Sequence, residues 1–367
     1  MYLNKNVIFA ATLSPFMAES VMSETTVEQG MVVTYQTADD DVSKDELIGS
    51  YDLVADTTIG KSGHMIMYVE GASSQAGDSV SSTFGEANGD AGSVTNYDSN
   101  GGTHGGFQVS ELFYQHDIGD NFVTIGMMDA TAYGDGGEIA NDEGASFITT
   151  DLVNNTTIQF PNYTMGVGAH AQFGSIGINL FYGGAEGFNG DYSELLHWQS
   201  NKAINDKGEF ILVEGSWETD STVLRLGYWS NNDFNNAKHD GSEASNASNS
   251  GAYGLAEIKF GSLTLNGRFG VADDTVSEID SFVSLAGELS VGPGALGLGY
   301  ALSTVSGEVT KNDTSKDDRT SIEAFYRFEG GENWTVTPAI SSIDNSGLSN
   351  ATTASATVYT VRGTYSF

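Results

Sequence analysis

The sequence predicts an all-β fold, an antiparallel up-and-down transmembrane β-barrel of about sixteen strands. Three observations carry that prediction. The chain ends, from Thr357 to Phe367, in a period of two: Tyr359, Val361, Gly363, Tyr365 and Phe367 share one face, and Val358, Thr360, Arg362, Thr364 and Ser366 share the other. Similar runs of about ten residues, the length a tilted strand needs to cross a bilayer, recur along the chain, joined by connections that alternate short and long. No segment beyond the N-terminus is apolar enough for a transmembrane helix, so a membrane-spanning chain of this composition must satisfy its backbone as a closed barrel.

The elements follow in order. Lys5, then the apolar run Val7 to Met17, then Ala18-Glu19-Ser20 or Val21-Met22-Ser23 as a cleavage point, predict a cleavable secretory signal peptide over 1–23 and a barrel over 24–367. Strands are expected near 29–37, 47–57, 63–72, 107–117, 120–129, 163–173, 175–184, 209–219, 221–231, 251–260, 262–272, 280–290, 295–305, 319–329, 333–343 and 357–367. Short turns such as Ile118-Gly119-Asp120, Phe173-Gly174-Ser175 and Phe260-Gly261-Ser262 close one end. Long polar connections (73–106, 130–162, 185–208, 232–250, 306–318 and 344–356) occupy the other. Ser99 to Gly106 is glycine-rich and is expected to be loop.

The faces of single strands set the phase. Leu263, Leu265, Gly267 and Phe269 oppose Thr264, Asn266 and Arg268; Ile322, Ala324, Tyr326 and Phe328 oppose Ser321, Glu323, Phe325, Arg327 and Glu329. An Arg or Lys on the lipid face costs about 2–4 kcal/mol near the midplane, so the apolar set must face outward. Trp217, Tyr326, Trp334, Tyr359, Tyr365 and Phe367 lie near strand ends, where interfacial aromatics gather.

Composition removes several functions. With 49 acids against 14 bases and a net charge of −35, the chain lacks the basic footprint of a nucleic-acid binder. Its field attracts cations instead. Without Cys it has no disulfide, thiolate metal site or cysteine nucleophile. The six His show no metal-ligand spacing, and Asp39-Asp40-Asp41 with Asp45 and Glu46 lacks the glycine and terminal Glu of a calcium loop. No GxSxG elbow or phosphate cradle appears. No catalytic residue, metal or cofactor is expected.

The charged constellation that remains is spatial. Four of the five Arg, namely Arg225, Arg268, Arg327 and Arg362, occupy strand positions assigned to the lumen. The long connection 130–162 carries Asp135, Glu138, Asp142, Glu143 and Asp151, with Asp129 at its root.

Strand number, loop alternation, the leader and the terminal Phe367 with Tyr365 make the chain resemble a Gram-negative general porin; the last strand resembles the signal read by the barrel-assembly machinery. The resemblance implies a bacterial outer-membrane location reached through the periplasm, contact with lipid and lipopolysaccharide, a homotrimer, and passive passage of small hydrophilic solutes. It also implies that 130–162 folds into the lumen as a constriction, its acids opposing the four Arg across a polar eyelet. The alternative is that the Arg side chains pair with luminal neighbours such as Glu323 and Glu214 as a lining. A looser resemblance, carried by Asn141 to Pro161 and Glu323 to Pro338, is to the carbohydrate-selective porins, with Phe325, Trp229 and Tyr253 as a stacking surface for sugar rings. Two functions of other classes stay open: a barrel enzyme, for which no acid–base or Ser–His set assembles, and a non-conducting adhesion or structural barrel.

Overall fold

The structure, a computed structural model, describes residues 24–39, 43–73, 79–84, 95–97, 103–139, 144–187, 208–233, 235–313, 316–331, 333–345 and 355–367. The leader 1–23 and its cleavage point lie outside them.

The strands are β1 (Thr25–Ala38), β2 (Glu46–Ile59), β3 (Gly63–Ala72), β4 (Thr95–Tyr97), β5 (Thr103–Ile118), β6 (Asn121–Met128), β7 (Thr164–Phe173), β8 (Ile176–Gly184), β9 (Glu209–Thr219), β10 (Thr222–Asn231), β11 (Asn249–Phe260), β12 (Leu263–Ala272), β13 (Ile279–Val291), β14 (Gly294–Val305), β15 (Arg319–Glu329), β16 (Trp334–Asp344) and β17 (Ala356–Ser366). All but β4 form one antiparallel sheet of sixteen strands, each paired with its neighbour. The sheet closes where β1 meets β17, from Gly30 opposite Ser366 to Ala38 opposite Val358. Closure leaves no unpaired edge to face hydrocarbon. No helix of the described residues is long and apolar enough to cross a membrane.

Every expected strand is present, with ends moved by a few residues. The largest shifts are at the starts of β1 and β5, each four residues earlier than expected. Thr103 to Gly106, expected as loop, extends β5, where Thr103, His104 and Gly105 pair with β4 and Gly106 pairs with Ala72 of β3. At the short-turn end, Gly60, Gly119, Gly174, Gly261 and Gly292 stand at φ between 60° and 69°, a left-handed turn geometry that glycine enters without strain.

Alternation sorts the two faces as the phase argument requires. On β12 Phe269 is 49% exposed on the outer wall while neighbouring Arg268 is 3% exposed inside. On β17 Tyr359 and Val361 point out and Arg362 is fully buried. A β-bulge between β3 and β5 leaves Ser110 as the unpaired residue, since Tyr68 faces Glu111 and Val69 faces Val109. Both Ser110 and Glu111 are buried as a result.

Candidate functional site: the lumen and its inward loop

The connection 130–162, third at the long-connection end when the shorter 39–45 is counted first and 73–106 second, enters the barrel after the short strand β6. That strand stops at Met128, whereas β5 beside it runs sixteen residues. The chain then turns in at Asp129, whose carboxylate accepts from Thr131 N at 2.9 Å and caps a short 3₁₀ turn over Ala130–Tyr133. It leaves the lumen at Tyr163, held at φ 23° with its hydroxyl on Glu70.

A segment buried inside a barrel must find partners for its own N–H and C=O groups. Here the barrel wall supplies them, with opposite charges for opposite groups. Wall glutamates accept loop amides. Glu111 accepts from Asp129 N at 3.0 Å, Glu214 from Asp135 N at 2.8 Å, Glu257 from Glu138 N at 2.9 Å, and Glu323 from Ile148 N at 3.0 Å and Thr149 N at 2.7 Å. Wall arginines donate to loop carbonyls. Arg268 reaches Leu152 O at 2.6 Å and Val153 O at 3.0 Å, Arg327 reaches Ala145 O at 2.9 Å, and Arg362 reaches Ser146 O at 2.8 Å. Charge-assisted bonds of this kind are shorter and stronger than neutral ones.

Apolar contacts complete the docking. Tyr133 and Ala130 join a cluster with Phe113, Phe181, Phe210, Leu212, Trp229 and Tyr253. Ile139, Phe147 and Leu152 join a second cluster with Phe282, Ala301 and Phe325. Wall glycines let the loop lie directly on the sheet. A Cβ at Gly299 would stand 2.6 Å from Leu152 Cδ1 and 2.8 Å from Phe147 Cε1, and one at Gly270 would stand 2.0 Å from Thr157 Oγ1.

The residues expected at the site fall as follows. Asp135 meets Arg268 in a buried pair at 3.1 Å, and burial, reinforced by nearby Glu214 and opposed by Arg268, raises its carboxyl to about 6. Asp151 is buried against Arg319 at 2.7 Å and accepts from Ser321 Oγ at 2.8 Å. Glu138 pairs with Lys259 near the short-turn end, and Asp129 stays at the loop root. Asp142 and Glu143 lie outside the described residues. Arg225 bridges Glu214 and Glu218, each at 2.9 Å, and among the described residues it makes no ion pair with the loop. Arg327 grips Glu288 with two bonds of 2.6 and 3.0 Å. The arginines that touch the loop lie flush against it rather than across a gap. Tyr365 and Phe367 pack together at 5.3 Å, and Phe367 exchanges backbone bonds of 3.0 Å with Gln29 at the barrel seam.

The expected sugar platform is corrected by packing. Trp229, Tyr253 and Phe325 do face inward, but they are 0%, 1% and 2% exposed beneath the docked loop, so no ring face is offered.

Sequence reading passed over Glu111, Glu257, Glu288 and Arg319. Their signal was parity alone: Arg319 shares a face with Ser321 and Glu323, and Glu257 precedes the β11–β12 turn in step with Leu255. It also passed over the charge asymmetry of the wall. No Lys or Arg occurs in β1 to β9. On β2, β3 and β5 the inward positions instead carry Asp52, Asp56, Glu70, Glu111 and Asp117, with His64 held between Asp56 at 3.1 Å and Asp117 at 3.3 Å. Among the described residues no group of three or more His, Asp or Glu could hold a metal ion.

The chain is thus a closed sixteen-stranded barrel, apolar outside and charged inside, with the connection 130–162 folded inward. Solved structures agree on the fold. The high-pH structure of Pseudomonas putida OprB matches with a TM-score of 0.68 at 13% identity, over 94% of each chain. OmpT of Vibrio cholerae, folded in vitro and in a trimer form, matches at 0.56 and 14% identity, over 94% of this chain and 99% of that one. A mutant of the Rh. blastica porin matches at 0.54 and 14% identity, over 94% of this chain and all of the other. No protein-family model matches the chain, and no curated protein matches its sequence.

Proposed function

We propose that this protein is an outer-membrane porin, a channel for passive diffusion of small hydrophilic solutes narrowed by the loop 130–162. The observation that carries this reading is the inward loop docked by charged wall residues inside an apolar-walled closed barrel. An adhesion barrel has no evident need for a polar, charged interior of this kind. The channel favours cations. The bases of the wall are engaged by the loop or by wall carboxylates, while the strip of β2, β3 and β5 is acidic and bears no Lys or Arg. Fixed charge at a narrow lumen concentrates the counter-ion.

The rest of the proposal follows from that reading. The segment 1–23 is removed on export, the C-terminal Tyr365 and Phe367 engage the assembly machinery, and the long loops lie outside beside lipopolysaccharide. A homotrimer is supported by the apolar outer wall around the β1–β17 seam, where Met31, Val33, Tyr35, Trp334, Tyr359 and Val361 are exposed, and by the trimer form of the Vibrio cholerae neighbour. Sugar selectivity is the finer alternative, and it requires the loop to move off Trp229 and Tyr253.

Liposome swelling tests the proposal. Vesicles carrying the refolded chain should swell in small sugars and amino acids at rates that fall with solute size. Swelling no faster than that of protein-free vesicles would reject a diffusion channel.

A further inference from the structure

Arg319 stands at the first residue of β15, at the long-loop end, and is 7% exposed. Its Nε lies 2.7 Å from the carboxylate of Asp151 in the third long connection. Its Nη2 donates to the carbonyl of Phe84 at 3.0 Å, in the second long connection. The described segment 79–84 of that connection also turns inward. Its short helix Val80–Phe84 buries Val80 and Phe84 against Ile343, Ala356 and Val358, and Glu46 accepts from Ser81 N. One guanidinium therefore holds both inward segments. Phe84 O takes a hydrogen bond from Nη2, and Asp151 meets Nε as a close charge contact; a lysine ammonium, a single point charge, could not span the two partners in the same way.

We propose that Arg319 couples the helix Val80–Phe84 to the inward loop at Asp151, so that the two segments loosen together. The coupling follows from these contacts and does not depend on the porin reading. Arg319 acts here as a positioning residue. Asp151 is the residue through which the third loop reports to the second. It is itself buried and takes Ser321 Oγ and Arg319 together, so loss of its charge leaves a buried guanidinium without a counter-ion.

The chain has no Cys, so a single Ser81→Cys substitution reports the second connection cleanly. The refolded full chain is labelled with a water-soluble maleimide, and folding is checked by gel mobility before and after boiling. Ser81 is buried, so labelling in the otherwise unaltered chain should be slow. Adding Asp151→Asn, a change confined to the third connection, should speed labelling on the order of tenfold, as expected when a buried ion pair is broken and a local opening becomes accessible. Arg319→Ala should do the same, Arg319→Lys should restore protection only in part, and the double variant should agree with either single one within about twofold. If Arg319→Ala fails to fold, Asp151→Asn alone carries the test. Unchanged labelling in Asp151→Asn overturns the coupling. A silent parent barrel in a bilayer would reject the porin reading and leave the labelling result intact.

Discussion

Replacing Glu323 by Ala is the most informative single perturbation of the docked loop. The carboxylate is fully buried and accepts from Ile148 N at 3.0 and 3.1 Å, from Thr149 N at 2.7 Å and from Thr149 Oγ1 at 2.6 Å. Truncation strands two main-chain amides, while the Thr149 hydroxyl keeps a 3.4 Å bond to Ser341 Oγ. A buried donor left without an acceptor costs about 1–3 kcal/mol, so the two amides put roughly 2–6 kcal/mol against the docked arrangement. That range is an upper bound, because a loop that moves away rehydrates its donors. The strands keep all their backbone pairs, so the barrel itself should fold. The expected phenotype is an intact barrel with a loosened plug: higher single-channel conductance, more current noise, and faster protease cleavage within 144–153. Glu323→Gln retains one accepting oxygen and should produce a smaller change in the same direction. A Glu323→Ala barrel with wild-type conductance, noise and cleavage would refute the view that wall carboxylates hold the loop through its main chain.

Three further outcomes are expected. Asp135 in the docked loop titrates near 6, above the ordinary carboxylate value, so its contribution to docking is complete below about pH 4 and is lost as pH rises through 6; two units correspond to about 3 kcal/mol. Amide exchange of 135–139, corrected for intrinsic rates, should therefore be slower at pH 4.5 than at pH 8, and Asp135→Asn should remove most of that difference. Gly299→Val would force a branched side chain against Leu152 and Phe147, an overpacking that costs about 1–3 kcal/mol, and should lower loop protection in the same exchange experiment with barrel strands unchanged. Asp56→Asn with Asp117→Asn removes two inward carboxylates beside His64 and should move the reversal potential in a salt gradient toward zero without changing conductance at high salt, where screening is nearly complete.

The barrel was legible in the sequence because its rule is local. Period-two alternation and the lipid penalty on charge fix the phase of each strand from neighbouring residues, as Arg268 beside Phe269 and Arg362 beside Val361 illustrate. The inward segment was assigned to 130–162 by position and resemblance, and Arg268 with Asp135 was among the residues named. The partners of the remaining groups were not legible. Side-chain charges suggested Arg against Asp across a gap, but most loop contacts involve main-chain groups, which every residue carries and no sequence pattern marks. Glu257 receiving Glu138 N, and Arg362 donating to Ser146 O, join positions more than a hundred residues apart. Gly270 and Gly299 reveal their role only when the loop is in place above them. Trp229 and Tyr253 looked available for ligands because their inward direction was readable, whereas the covering loop was not.

The most direct test of the account is current through single refolded channels in a planar bilayer under a tenfold salt gradient. A porin with a loop-narrowed, acid-walled lumen predicts stepwise ohmic openings and a reversal potential displaced toward the cation. A barrel that inserts, shows the gel shift of a folded protein and passes no current would contradict it.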